Sequence, residues 1–187
     1  MTDRMRSGLE EHLAVIAALR PELPLLRRIA DRIVAAFRAG GRVYVLGNGG
    51  SAADAQHIAA ELLGRFKLDR PALPAVALTT DTSVLTAVGN DLGAEQFFSR
   101  QVQALVRPED VVWVLSVSGT SPNVLRAVAE VRSRGATLLG FTGRSGGELA
   151  DHCDLCLRAD HCSADRVQEA HELAYHLICE QVEREMA

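Results

Sequence analysis

The stretch VYVLGNGGSAADAQHIAAELLGR, residues 43–65, carries the reading of the fold. A short apolar run leads into three glycines and a serine, then into a helical pattern. Strand, tight small-residue turn and helix, in that order, open a βαβ unit. The turn Gly47-Asn48-Gly49-Gly50-Ser51 also suits an anion. Its glycines permit positive φ and let backbone N–H groups approach a charged ligand closely. Ser51 is placed to cap the helix that follows, and a helix N-terminus favours negative charge.

Upstream, residues 3–20 and 24–39 read as two amphipathic helices, separated by Pro21 and Pro24 and closed by Gly40-Gly41. Downstream the texture changes. RVYVLG, LPAVALT, DVVWVLSV, ATLLGFTG and CDLCLRA are five short apolar runs that read as strands. Helical patterns lie between or after them at 51–65, about 93–105, 121–134, 146–151 and 164–186. Alternation of this kind predicts an α/β fold with a parallel sheet covered on both faces. No repeat, low-complexity tract or linker interrupts it. The expectation is one domain over 1–187, with N-terminal helices in 1–40 and the layered core in 41–187.

The bulk numbers agree with that size and narrow the function. The chain has 187 residues, 48% hydrophobic and 24% charged, with a net charge of −4. Those values suit one compact domain. The absence of a basic run argues against nucleic acid as a partner. No apolar stretch approaches the roughly 18 residues of a membrane span, and MTDRMRSGLEEHL lacks a signal-peptide core. A cytoplasmic protein is expected. Its four cysteines, Cys153, Cys156, Cys162 and Cys179, then read as free thiols.

A second small-residue turn, Ser116-Val117-Ser118-Gly119-Thr120-Ser121, follows the third apolar run. Pro122 comes next, a good first helical residue. In an open parallel sheet, ligands bind beyond the C-terminal strand ends where the strand order reverses. Two such loops, rich in hydroxyls and backbone donors and free of lysine, fit the phosphate monoester of a small molecule. Each alone also reads as an ordinary strand-to-helix turn. A dinucleotide fits less well. Gly47-x-Gly49-x-x-Ala52 matches the fingerprint in form, but the ribose-binding acid about 20 residues on is missing. The first acid after the second strand is Asp81. No Gly-Lys-[Ser/Thr] phosphate loop occurs.

Proton-transfer and metal candidates lie on the flanking helices. His57 and Glu61 are one turn apart on one face of the helix after the first loop. Gln168 and His176, eight apart on the last helix, also lie near one face. Imidazole plus carboxylate suits Zn²⁺, and a glutamine oxygen can add to it. Glutamate is equally the usual base beside a carbonyl. The same spacing also describes a solvated ion pair. Arg65 and Asp165 read as substrate contacts or as surface charges, and His171 as a neighbour of the site or plain surface. His152, Cys153, Cys156, His161 and Cys162 suggest zinc by composition. Residues three apart on a strand point to opposite faces, however, so buried thiols are the simpler reading.

The order GNGGSAADAQHIAAELLGRF, LPAVALTTDTSVLTAVGND, SVSGTSPNVLRA and ADRVQEAHELAYH resembles the phosphoheptose isomerases. These enzymes of the small sugar isomerase (SIS) domain family interconvert sedoheptulose 7-phosphate and D-glycero-D-manno-heptose 7-phosphate. The resemblance runs from about residue 40 to the C-terminus and implies a three-layer αβα sandwich with a five-stranded parallel sheet. It also implies a homotetramer with sites between subunits. By position, Asn48, Gly49, Gly50, Ser51, Ser116, Ser118 and Ser121 would bind the phosphate end. Arg65, Asn90, Asp91, Asp165 and Gln168 would contact the substrate. Glu61 would be the general base and His176 the general acid of an enediol mechanism. His57, Glu61, Gln168 and His176 would hold one Zn²⁺ per subunit. One departure is Val117, where the family often has threonine, which removes a hydroxyl.

A non-catalytic branch, the proteins that associate with the replication initiator DnaA, resembles this chain at SAADAQH and LTTDTSVLTA. That branch implies the same fold and tetramer without the glutamate and histidine at the positions of Glu61 and His176. This chain has both, which favours the enzyme in ADP- or GDP-heptose precursor biosynthesis over the scaffold.

Overall fold

The computed structural model describes residues 3–187. Helix α1 (Arg4–Ala17) starts at Asp3, whose carboxylate accepts the Met5 and Arg6 amides. A short 3₁₀ turn, Arg20–Glu22, leads into α2 (Leu23–Arg38), with Pro24 in its first turn. Leu26, Ile29, Ile33 and Phe37 recur at three- and four-residue spacing, and all are buried.

The layered core follows as β1 (Val43–Gly47), α3 (Gly50–Leu63), β2 (Ala75–Ala77), α4 (Thr82–Asp91) and α5 (Ser99–Leu105). It continues with β3 (Val111–Leu115), α6 (Pro122–Arg134), β4 (Thr137–Thr142), α7 (Gly147–His152), β5 (Leu155–Arg158) and α8 (Ala164–Met186). All five strands run parallel in the order β2-β1-β3-β4-β5. The sheet is the middle layer of a three-layer αβα sandwich, as expected.

Period-two alternation sorts the strand residues between two cores. Val43, Val45, Val111, Trp113, Leu139 and Phe141 pack under α1, α2, α3 and α8. Tyr44, Leu46, Val112, Val114 and Leu138 pack under α5, α6 and α7. Both faces are covered, which is why the strands read as unbroken apolar runs. Trp113 and Phe141 meet edge to face at 5.1 Å between centroids, a contact of about 1 kcal/mol beyond its burial.

Three local expectations need correction. The sequence reading left 82–91 without a helix, yet α4 is there, capped by Asp81 on the Val84 amide. Its β-branched Thr82, Val84, Thr86 and Val88 are poor helix formers, and no residue in it is fully buried. The helix expected over 93–105 is a 3₁₀ turn, Ala94–Gln96, followed by α5. Ser51 does not cap α3: the cap position is Gly49, with φ +56°, and Ser51 lies inside the first turn.

The chain passes from β1 to β2 on one side, then to β3 on the other. The strand order therefore reverses between β1 and β3, whose C-terminal residues Gly47 and Leu115 are in register. That is where a ligand crevice opens in such sheets.

Candidate active site

A cavity of about 220 Å³ occupies this crevice, lined by Asn48, Ser51, Ser116, Ser118, Ser121 and Gln168 among others. Two helices begin at it, α3 after Gly49 and α6 after Ser121, and neither has a side-chain hydrogen bond at its cap. The Gly50, Ser51 and Asn123 amides and the two helix dipoles are thus left for an anion, while the Ala52 amide is taken by the Gly49 carbonyl and that of Val124 by Asn123 Oδ1. The loops are shaped to keep it open. Ser116 Oγ accepts the Gly119 amide at 3.2 Å and Ser118 Oγ accepts that of Thr120 at 3.3 Å. Each hydroxyl keeps its proton to donate. A Cβ on Gly47 would lie 2.7 Å from the Leu115 carbonyl oxygen, so only glycine lets β1 and β3 end this close together. The Asn48 and Asn123 amides join the two loops by reciprocal 2.9 Å hydrogen bonds. Gln168 reaches in from α8 and lies over Gly50, where any side chain at position 50 would collide with it.

Farther along α3 is a cluster of imidazoles. His57 Nε2 stands 3.1 Å from Glu61 Oε1 and 3.5 Å from His176 Nε2 on α8. Two nitrogens bound to one tetrahedral zinc at about 2.05 Å would be roughly 3.3 Å apart. One N–H on His57 cannot serve both neighbours, whereas a cation between them would serve all three. The residues therefore fit a metal. His57, Glu172 and His176 each bring a donor atom within 4.8 Å of the others; among the described residues they form the cluster with this geometry.

Surrounding groups hold these rings in place. Tyr175 Oη lies 2.9 Å from His57 Nδ1 and fixes the ring's orientation. Burial, then the nearby Asp54, pushes the Tyr175 phenol well above its ordinary range, so it stays protonated. Burial, then His57, holds His176 below the ordinary imidazole value and favours its neutral form. Phe66 stacks on His176 with 5.5 Å between centroids. Phe66 is itself fixed by buried Glu183, which accepts the amides of residues 66, 67 and 68 at 2.7–2.9 Å and faces Arg70 Nε at 3.2 Å. Burial pushes the Glu183 carboxyl up, but those amides and Arg70 outweigh it and hold it below the usual range.

The sequence candidates thus separate into groups. Asn48, Ser51, Ser116, Ser118, Ser121 and Gln168 meet at the cavity, and Gly49 and Gly50 form its α3 rim. Farther along α3, His57 meets both Glu61 and His176. Arg65, Asn90, Asp91 and Asp165 are exposed and do not line the cavity. Asn90 bonds Asp91 at 2.6 Å, and Asp165 is engaged by Ser163 and Arg166, which hold it below the usual carboxyl range. His171 is neither surface nor site. It is buried, with Nε2 3.1 Å from the Thr142 carbonyl, and burial lowers it to about 4. Cys153 lies before β5 rather than on it, and its thiol and that of Cys156 both crowd Gly140. Sequence reasoning passed over Tyr175 and Glu172. Glu172 was legible, four residues from both Gln168 and His176, on one helix face. A roomier cavity of about 730 Å³ at the β2 edge, lined largely by residues such as Val76, Leu78, Val84 and Leu105, lies apart from this chemistry.

An α/β sheet with a two-loop cradle at its switch point, and an acid–imidazole pair alongside, defines a sugar-phosphate-handling domain. The SIS domain family model matches residues 10–143. The chain is 52% identical over 166 residues to the phosphoheptose isomerase of Roseiflexus sp. (strain RS-1), covering 89% of this chain and 84% of the relative. It is 50% identical over 180 residues to that of Burkholderia pseudomallei (strain K96243), covering 95% and 91%. The solved structure of phosphoheptose isomerase GmhA from Neisseria gonorrhoeae superposes with a TM-score of 0.92 at 38% identity, covering 97% and 98%. The chain belongs to the SIS domain family and, within it, to the phosphoheptose isomerases. It is a sugar-phosphate isomerase.

Proposed function

We propose that the protein interconverts sedoheptulose 7-phosphate and D-glycero-D-manno-heptose 7-phosphate through an enediol, in ADP- or GDP-heptose precursor biosynthesis. The observation that carries this reading is the placement of cradle and acid–imidazole pair along one helix. From Ser51 to His57 and Glu61, α3 rises roughly 9 and 15 Å at 1.5 Å per residue. Side chains lean back toward the helix N-terminus, shortening the gap. A seven-carbon chain with C–C bonds of about 1.5 Å spans roughly 8–10 Å from C1 to phosphorus. With the phosphate on the α3 and α6 N-termini, C1 and C2 reach Glu61 and His176.

Glu61 then takes the proton from the carbon next to the carbonyl and returns it to the neighbouring carbon. Neutral His176 moves the proton between the two oxygens. Tyr175 keeps His57 turned toward this centre. A Zn²⁺, one per subunit, would be held by His57, Glu61, Gln168 and His176, and when bound it would polarise the substrate carbonyl. Exposed Leu9, Leu13 and Leu23 on the N-terminal helices support a homotetramer. Arg65, Asn90, Asp91 and Asp165, which lie off the cavity of their own chain, would reach the sugar of a neighbouring subunit. The chain is read as one SIS domain acting in the cytoplasm. No helix among the described residues is long and apolar enough to cross a membrane.

The test is turnover of sedoheptulose 7-phosphate by purified, zinc-supplied protein, coupled to a heptose kinase. Product formation supports the reading. No turnover removes it and leaves the scaffold that binds DnaA as the alternative to assay by pull-down.

A further inference from the structure

Two thiols stand outside the chemistry of the α3–α8 site. Cys156 on β5 pairs in register with Gly140 on β4, and Cys153 is the C-terminal cap of α7, just before β5 begins. A Cβ at position 140 would collide with the Cys153 sulfur and lie 3.2 Å from the Cys156 sulfur. The glycine leaves one side-chain volume free, and both sulfurs converge on it. Residues three apart on a strand would point to opposite faces, but Cys153 is off the strand, so the bar does not apply.

The surroundings are those of a reactive pair. Both thiols are half-buried, whereas Cys179 is buried, and β5 is an edge strand of the sheet. Contact with the Cys153 thiol is the largest influence on Cys156 and lowers it. Burial opposes, while the Thr142 hydroxyl and Arg158 add to the lowering and hold Cys156 below the usual thiol range. Cys153 is pushed the other way, by Cys156 first and then by burial, so it keeps its proton. A sulfur inclined to the thiolate beside a protonated one suits an attacking and a resolving thiol.

Cys153 is also tied to the phosphate cavity. Its thiol donates to the Leu149 carbonyl at 3.2 Å. The Leu149 amide donates to the Gly119 carbonyl at 2.9 Å, and the Gly119 amide to Ser116 Oγ at 3.2 Å. A disulfide sulfur carries no proton, so oxidation ends the bond to Leu149.

We propose that Cys153 and Cys156 are a modification site, which hydrogen peroxide converts to a disulfide that weakens the hold of α7 on the Ser116–Ser121 loop. The Cys156 thiolate attacks a peroxide oxygen; the S–O bond forms as the O–O bond breaks, and the departing hydroxide takes a proton and leaves as water. The Cys153 sulfur then attacks the sulfenic sulfur. The S–S bond forms as the S–O bond breaks, and the hydroxyl leaves as water with the Cys153 proton. Both thiols are oxidised, and the peroxide is reduced to water. The site does not rest on the isomerase reading, because oxidation and amide exchange are read without substrate.

The experiment treats the reduced full chain with one equivalent of hydrogen peroxide, blocks the remaining thiols with iodoacetamide and maps the peptides by mass spectrometry. The peptide holding Cys153 and Cys156 should lose both thiol hydrogens and escape alkylation, and dithiothreitol should restore it. It should react roughly tenfold ahead of Cys162, although Cys162 is the more exposed thiol. Cys153→Ser should stop at a sulfenic acid on Cys156, trapped by dimedone, and Cys156→Ser should leave Cys153 reduced. Hydrogen exchange of wild type should quicken roughly fivefold across 116–121 and 147–152 on oxidation, the weight of one hydrogen bond. The wild-type measurements need no variant to fold. The proposal is overturned if Cys162 is oxidised first, if Cys153 and Cys156 are both alkylated after peroxide, or if exchange in the two segments is the same in reduced and oxidised protein.

Discussion

The side-chain amides of Asn48 and Asn123 exchange two hydrogen bonds, each 2.9 Å long, across the gap between the loops after β1 and β3. This pair holds the two halves of the phosphate cradle at one separation, so neither loop has to be ordered by the ligand. Each such bond contributes about 1 kcal/mol net. Asn123→Ala should therefore raise KM for the sugar phosphate roughly tenfold and leave kcat within a few-fold. Asn48→Ala combined with Asn123→Ala should be less than additive in steady-state kinetics. Strict additivity would show that the amide pair does not hold the loops.

Glu61→Gln removes the base while keeping the side chain's shape. Turnover should fall by roughly 10²- to 10⁴-fold, the usual worth of a positioned proton acceptor. Circular dichroism and melting should be unchanged, because the bonds that Arg70 makes near this point go to the Glu61 and Leu62 backbone carbonyls. Retained activity would assign proton transfer elsewhere.

Gly47→Ala places a methyl group 2.7 Å from the Leu115 oxygen and 2.8 Å from Ser51 Cβ. Because the obstacle is backbone, β1 and β3 must part. Overpacking of this kind costs about 1–3 kcal/mol, a fall in Tm of roughly 2–10 °C for a chain of this size. Thermal melting reads it, and a loss of phosphate affinity should accompany it. Gly8 has nothing within 4 Å of a Cβ, so Gly8→Ala is the control that should not lower Tm.

His171 gives the fold a pH dependence of definite sign. Burial lowers it to about 4 from an ordinary 6.5, with the Thr142 carbonyl opposing in part. The unfolded chain thus binds a proton in a range where the folded chain does not, so its contribution is present above pH 6.5 and lost as pH falls toward 4. The full shift corresponds to roughly 3 kcal/mol. Denaturant unfolding between pH 7 and pH 4.5 should show a shallower loss of stability in His171→Gln than in wild type. Parallel curves would mean that His171 is protonated in the folded state.

Much of the architecture was readable because it rests on local periodicity. The 164–186 helix and the strands around Val43–Gly47 and Val111–Leu115 follow from spacing and β-branched content, which neighbours in space do not change. Thr82–Asp91 was not readable, since its β-branched residues contradict a helix that Asp81 caps and the fold then supports. The glycine and serine loops were legible as cradle candidates because φ > 0 and close approach are demands on residue type.

What the sequence by itself determined is the layer order, the two anion-ready loops, and the face of α3 that carries His57 and Glu61. Only the tertiary structure decided that α8 crosses beside α3. That crossing sets His176 Nε2 3.5 Å from His57 Nε2, puts Tyr175 behind the ring, brings Glu172 near both imidazoles and buries His171. The physical reason is range. Turn and helix chemistry act over a few residues, whereas the distance between residues 57 and 176 is set by the packing of two helices on one face of a shared sheet.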